Sequence, residues 1–280
     1  MNVLFVGGGR RVVLAKLFIE RGWKVFAYET SPDVPIAHVA EEVIAGKKWN
    51  DPDIHTDIRT AILFKKIDLV LPLMDAAIPV CSELENRMAV NLASFPNAIC
   101  SDKGAFEVEV AESAPKVYPW PHNGKPAILK PRSGFGSHGI HHVTSYRGKG
   151  KEGYVAQRLL KGPEYTLDTY FDPEGKYVDA VPRLRRIVAD GEVKSTVTVE
   201  MPELQHWCKL IGEHIGLVGP INMQFIVEKD KPYVTECNAR FGGGWPLSIA
   251  AGLDAIRLIE RDYFGAVSYT HLTLPTILLV

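Results

Sequence analysis

The sequence predicts an α/β N-terminal region built on a parallel sheet, followed by an α+β region built largely from antiparallel hairpins. Two observations carry this. Over residues 2–28 apolar runs alternate with a helical pattern, and beyond residue 100 strand-like runs separated by compact turns take over.

Residues 2–6 form an apolar run that reads as a buried strand, and Gly7-Gly8-Gly9 reads as the tight turn after it. Residues 12–21 have helical composition, with Gly22 placed to cap the C-terminus. Residues 24–28 read as the next strand, and residues 68–73, with Pro72, as a later one. Strand, helix, strand at this spacing predicts right-handed parallel βαβ connections. Pro96 and the polar run 97–103 mark a boundary near residues 95–100. After it, Pro173-Glu174-Gly175, Asp190-Gly191 and residues 228–232 each separate two strand-like runs and predict hairpin turns. Residues 202–215 and 247–263 are the strongly helical stretches of this half. The final segment, residues 267–280, lacks Asp, Glu, Lys and Arg. It reads either as a buried C-terminal strand or as a tail foreign to the gene. The second reading is preferred, because residues 268–276 resemble translated sequencing-adapter sequence.

The chain has 280 residues, 46% hydrophobic and 23% charged, which supplies material for more than one core. Lys plus Arg is 32 against 33 Asp plus Glu, and the net charge of -1 excludes a whole-chain electrostatic affinity for nucleic acid or an anionic membrane. No uncharged apolar stretch approaches the ~18–20 residues that cross a bilayer. Cys81, Cys100, Cys208 and Cys237 are widely spaced with no Cys-x-x-Cys pair, and read as free thiols of a reducing compartment. The expectation is a cytoplasmic protein with neither nucleic-acid nor membrane partners.

Three motifs bear on chemistry. Gly7-Gly8-Gly9 between strand and helix, with Glu29 at the end of the next strand, partly matches a dinucleotide fingerprint, but Val12 stands where its third glycine belongs. The alternative is a purely structural turn. Residues 128–140 place Lys130 at the end of an apolar strand, ahead of a loop containing Gly134, Gly136 and Gly139. The lysine precedes the glycines, so this is not a P-loop. Such a loop folds over a triphosphate and donates N–H groups, or is an ordinary hairpin with a surface lysine. The third motif spans residues 221–240. Two alternating runs about a turn near Asp230 put Gln224 opposite Glu236 and Asn222 opposite Asn238. Gln224, Glu236, Asn238 and Arg240 then share one face, with Cys237 and Ala239 on the other. A carboxylate and amide oxygens on a rigid sheet are hard ligands suited to Mg²⁺, and Arg240 is placed to hold a phosphoryl group. The competing reading is a solvated polar face with one salt bridge, which the following Gly242-Gly243-Gly244 run argues against. Arg183 and Arg185 share a strand face that reads either as a substrate-carboxylate site or as an exposed charged edge. Asp75 reads as a cleft residue or a helix N-cap.

Together these motifs resemble the ATP-grasp superfamily, most closely the carbamoyl-phosphate synthase large subunit and biotin carboxylase group. The resemblance rests on Ser101-Asp102-Lys103, the Lys130 loop, Gln157 and Leu159 with Glu164-Tyr165-Thr166, and Glu236, Asn238 and Arg240. It implies a Rossmann-like pre-ATP-grasp domain over residues 1–97 and an α+β ATP-grasp fold of two subdomains. The small subdomain with the glycine-rich loop would span 98–156, and the subdomain with the metal site 157–266, before the non-native tail 267–280. By resemblance, Lys103 and Lys130 contact the nucleotide's phosphates, and Ser133, Gly134, Gly136, Ser137 and Gly139 belong to the loop that closes over them. Gln157 and Leu159 fall on the hinge that meets adenine, and Glu164 on the acid that holds the ribose. Gln224, Glu236 and Asn238 match the Mg²⁺ ligands, with Arg240 and Lys130 as the catalytic cations. Gln157 departs from the glutamate common in the hinge, and His138 from the smaller or basic residue usual in the loop.

The activity so implied is an ATP-dependent carboxylate–amine ligase that uses Mg²⁺, with Mn²⁺ as an alternative metal. A small-molecule carboxylate would be activated as an acyl phosphate and attacked by an amine or thiol. A homodimer is compatible with this reading. Two other classes stay open: a non-catalytic nucleotide-binding module, and a dinucleotide-dependent oxidoreductase using Gly7-Gly8-Gly9 and Glu29.

Overall fold

The computed structural model describes residues 1–84, 90–92, 95–110, 126–133, 139–144, 152–189 and 192–265. The expected tail 267–280, the Asp190-Gly191 turn, and Gly134, Gly136, Ser137 and His138 of the glycine-rich loop lie outside the described residues.

The N-terminal part is the predicted parallel α/β unit. It runs β1 (Asn2–Val6), α1 (Val12–Glu20), β2 (Lys24–Glu29), a short 3₁₀ turn (Pro35–His38), β3 (Glu42–Ala45), α2 (Ile54–Lys65), β4 (Leu69–Pro72), α3 (Ala77–Ser82) and β5 (Val90–Asn91). The sheet order is β3-β2-β1-β4-β5, and every pair is parallel. Central β1 has no polar face because helices cover both sides of the sheet. Its Val3 and Phe5 join one core with α1, and its Leu4 and Val6 join another with α2. Gly22 adopts φ +83° just past α1, which is the predicted stop.

The chain continues through α4 (Phe95–Ile99) and α5 (Lys103–Val110) to a three-stranded antiparallel sheet of β6 (Ala127–Pro131), β7 (His141–Val143) and β8 (Tyr154–Arg158), in the order β7-β6-β8. A second five-stranded sheet follows: β9 (Glu164–Phe171), β10 (Tyr177–Ala189), β11 (Glu192–Thr198), α6 (Pro202–Ile215), β12 (Gly219–Glu228) and β13 (Lys231–Asn238), with strand order β11-β10-β9-β12-β13. On α6, Leu204, Cys208, Ile211 and Ile215 recur at helical spacing and pack with Val234, Cys237 and Ala239 of the β13 segment into a third core. All four cysteines are buried free thiols.

One predicted helix divides. Residues 247–263 take in the last part of α7 (Trp245–Ala250) and nearly all of α8 (Ala255–Phe264), with a break between them. Gly252, at φ +113°, breaks the path, and the Asp254 carboxylate accepts from the Arg257 N–H to start α8 afresh. These helices return to the N-terminal layer. Phe241 meets Phe18 edge-on at 6.5 Å, Trp23 meets Phe264 at 5.4 Å, and the Trp23 indole donates to Glu260 at 2.8 Å.

The second sheet holds a buried ionic network. Asp168 accepts from Arg183 Nε and Nη2 at 2.9 and 3.0 Å, from Asn222 at 2.7 Å and from Ser248 at 2.6 Å. Arg183 is therefore neither a cleft residue nor an exposed edge residue; it is 1% exposed. The glycine run after β13 has the same cause. A Cβ at Gly244 would stand 2.3 Å from Arg183 Nη1, and one at Gly242 would stand 2.7 Å from Asn222 Nδ2.

Candidate active site

A cleft of about 570 Å³ opens between the three-stranded sheet and the β12–β13 hairpin, with Asp75 reaching it from the loop after β4. Nine of the fourteen predicted site residues line it: Lys103, Lys130, Gln157, Leu159, Glu164, Gln224, Glu236, Asn238 and Arg240. Ser133 and Gly139, the described ends of the glycine-rich loop, are exposed and do not line it.

The hairpin delivers the oxygen-bearing face. Asn222 pairs with Asn238 and Gln224 with Glu236, in the predicted register. The connection itself is a two-residue turn, Lys229-Asp230, with both residues left-handed at φ 52° and 62°. A bulge reconciles the two facts. Phe225 pairs with Val234, so Thr235 is the extra residue between the tip and the predicted pairs. The bulge also explains why Val234 and Cys237, three residues apart, both enter the core while Glu236 faces the cleft.

Cations meet this face from two elements. The Asp102 carboxylate accepts from the Gly104 and Ala105 amides at the start of α5, and from Arg132 Nε and Nη2 at 3.0 and 2.9 Å. The Lys103 amide donates to the Arg132 carbonyl at 2.9 Å. This clamp ties the N-terminus of α5 to the end of β6, so that Lys103 and Lys130 converge. Lys103 Nζ stands 3.1 Å from Glu236 Oε1. Burial drives the Lys130 pKa down, and the Glu236 carboxylate opposes that shift. Arg240 is held in a bidentate pair by Asp75, Nε at 2.8 Å and Nη2 at 2.7 Å, and touches Asn238 Oδ1 at 3.4 Å. Burial alone would lower the Arg240 pKa, but Asp75, with a further contribution from Glu236, raises it. Asp75 is thus a cleft residue, and the N-cap of α3 is Ala76.

At the other end the walls turn apolar, with Ile128, Ile140, Leu159, Leu160 and Ile226. Glu164 pairs with Arg185 at 3.1 Å, and Arg185 also donates to Thr166 at 3.3 Å. Of the two arginines considered on β10, only Arg185 lines the cleft. The Gln157 amide donates to Glu107 on α5. Burial pushes the Glu107 carboxyl up to about 7, against the pull of Gln157, Lys130 and Arg132. Glu107 was not among the predicted residues, although it follows Lys103 by four positions and so shares its helix face.

Among the described residues no group of three or more His, Cys, Asp or Glu side chains could hold a metal. The oxygen face of Gln224, Glu236 and Asn238 fits a hard cation that keeps part of its water shell. The Lys103 ammonium against Glu236 shows that this carboxylate accepts positive charge. The glycine turn at Gly7-Gly8-Gly9 has no comparable room. Cβ positions at these glycines would meet Met74, Leu73, Phe5 and Val34, and the Glu29 carboxyl carbon lies 3.4 Å from the Gly9 position. The chain's own Glu29 fills the place that a phosphate would need. No helix among the described residues is long and apolar enough to cross a membrane.

Residues 151–273 match the family described as ATP-grasp in the biosynthetic pathway with Ter operon, and residues 3–93 match the family described as PylC-like, N-terminal domain. No curated protein matches the sequence. Among solved structures, the L-amino acid ligase from Bacillus licheniformis superposes with a TM-score of 0.69 at 18% identity, covering 94% of this chain and 74% of that one. The biotin carboxylase domain of the Hydrogenobacter thermophilus 2-oxoglutarate carboxylase, solved with MgADP, ADP and bicarbonate, gives 0.73 at 15% identity, covering 95% and 70%. The N5-carboxyaminoimidazole synthetase from Staphylococcus aureus, complexed with ADP, gives 0.67 at 16% identity, covering 89% and 73%. At these identities the structural likeness speaks for the fold. With the two matched families, the chain carries a PylC-like N-terminal domain followed by an ATP-grasp domain.

Proposed function

We propose that the protein is an ATP-dependent ligase that joins a small-molecule carboxylate to an amine. The observation that carries this reading is the polarity of one cleft. Lys103, Lys130 and Arg240 gather with an oxygen-ligand face at one end, and an apolar slot with a polar edge lies at the other. A nucleoside triphosphate has the same two ends. That one similar structure is an L-amino acid ligase, and that two others were solved with ADP, points the same way.

A free carboxylate is a poor electrophile, and its condensation with an amine needs activation. Transfer of the terminal phosphoryl group of ATP to the carboxylate oxygen gives an acyl phosphate and ADP; attack by the amine then releases phosphate. Such a transfer asks for charge neutralisation and alignment more than for covalent help. Lys103 and Lys130 would neutralise the phosphate oxygens, and Arg240, held in one orientation by Asp75, would face the transferring group. Gln224, Glu236 and Asn238 would hold Mg²⁺, which would supply positive charge to offset that of the phosphate oxygens. Glu164, beside Arg185, would take the ribose hydroxyls, and the segment of Gln157 and Leu159 the base.

Two measurements test the reading. Mg-ATP should raise the melting temperature, since ligand at a hundredfold excess over its Kd stabilises by ~2.7 kcal/mol, whereas NAD(H) and NADP(H) should not. ADP release should require both a carboxylate and an amine from a substrate panel. A thermal shift with NAD(H) and none with Mg-ATP overturns the proposal. Mg-ATP binding without turnover across a broad panel favours a non-catalytic module.

A further inference from the structure

If the cleft is a nucleotide site, as proposed above, Gln157 bears on which nucleobase it accepts. Gln157 is 6% exposed and sits on β8 opposite Ile128 of β6. Its Nε2 donates to Oε1 of Glu107. An ionised carboxylate only accepts, so this contact holds the amide in one of its two orientations, with the NH₂ group toward α5. The amide oxygen has no hydrogen-bond partner among the described residues, and it is not among their sealed, unpartnered atoms. It is therefore reachable from the cleft that Gln157 lines, beside Ile128, Ile140 and Leu159.

An acceptor on the edge of an apolar slot discriminates between purines. It takes a hydrogen bond from a 6-amino group and meets the lone pairs of a 6-oxo group. We infer that Glu107 is a positioning residue that fixes the Gln157 amide as an acceptor and thereby selects a 6-amino purine over a 6-oxo purine. Glu107 acts through Gln157 and does not itself touch the nucleotide.

The test compares Mg-ADP with Mg-IDP, which differ at the purine 6-position and N1, by calorimetric titration at pH 8, where Glu107 is largely ionised. The wild type should favour ADP by about tenfold or more, the scale of one hydrogen bond gained against one acceptor left facing lone pairs. In Glu107→Gln the new amide both donates and accepts, so either Gln157 orientation is satisfied, and the ADP:IDP ratio should fall at least about fivefold. Glu107→Met, which offers no partner, should lower the ratio similarly and serves as the readout if Glu107→Gln does not fold. A purely structural role for Glu107 would move both affinities together and leave the ratio alone. Wild-type ADP binding with no preference over IDP, or with a ratio that both variants leave unchanged, overturns the inference and spares the ligase reading. A wild type that binds neither nucleotide overturns both.

Discussion

Glu236 is the most informative residue to change. It is the one carboxylate on the oxygen face that Gln224 and Asn238 complete, and its register is fixed by pairing with Gln224. Its nearest cation is Lys103 at 3.1 Å, and its field is also the main influence opposing the burial that drives the Lys130 pKa down. Glu236→Gln keeps the shape and one acceptor oxygen but removes the charge that competes with water for a divalent cation. A hydrogen bond or ligand contact that involves a charged group is worth ~1.5–3 kcal/mol, and its loss in the transition state translates to roughly 10²-fold in rate, about 2.7 kcal/mol. The change also removes the Glu236 charge from beside Lys103 in a partly desolvated site, so a stability loss of ~1 kcal/mol or somewhat more is expected and is read separately from turnover. The assay is ADP release at saturating ATP and Mg²⁺, with circular dichroism and thermal melting as folding checks. Cys237→Ser is the control: its side chain lies in the core against α6, so it should cost stability and leave turnover per folded molecule unchanged. Full activity in Glu236→Gln, or abolished activity in well-folded Cys237→Ser, would refute the assignment of this face to the metal.

Three further outcomes follow from particular contacts. Arg183→Met strips the buried Asp168 carboxylate of its counter-charge while Asn222 and Ser248 still donate to it; urea denaturation should show a loss of ~3–5 kcal/mol, and a loss under 1 kcal/mol would contradict the network. Asp75→Asn cannot hold both guanidinium donors of Arg240, so turnover should fall about tenfold, ~1.4 kcal/mol, with less change in the KM for ATP. For Glu29, burial lifts the carboxyl pKa from the ordinary 4.5 to about 7, against the pull of the Gly9 and Gly8 amides. The folded state then binds the proton more tightly than the unfolded one, so this group's contribution to stability declines as pH rises from the ordinary value to the raised one. Glu29→Gln should remove that share of the slope and stabilise the protein by about 1 kcal/mol at pH 8 in chemical denaturation, less than full linkage because water still reaches the site.

What the sequence revealed follows from how local each signal is. The β12–β13 hairpin was legible because its strands are joined by two residues and alternate with period two. The bulge at Thr235 was not, since nothing about a threonine announces an unpaired position. Gly252 was the visible warning that residues 247–263 would not be one helix, and the period of apolar residues on either side concealed it. The burial of Arg183 had a signal too. The turn at Pro173-Glu174-Gly175 sets β9 against β10, and Asp168, opposite Val181, then lies diagonal to Arg183, opposite Thr166. Asp75 and Arg240 are a different case. They are 165 residues apart, and no local pattern reports a pair that exists only because two sheets dock.

Those long-range pairs share one property. Lys103 faces Glu236, Arg240 faces Asp75 and Arg185 faces Glu164, so a charged group assigned to each of phosphate, metal and ribose holds a partner of opposite charge within the cleft. Unpaired, such charges in a partly desolvated site would repel one another and destabilise the fold. Paired, they keep the cleft near electrical balance, which is why neither the net charge nor any run of like charges betrayed it. Binding would then be an exchange of partners: a divalent cation would take Glu236, and the phosphate would take the Lys103 that Glu236 releases. Metal and nucleotide should therefore bind with positive coupling. The two ligands share the cost of separating one ion pair, and either alone would leave the other member of that pair exposed in the cleft.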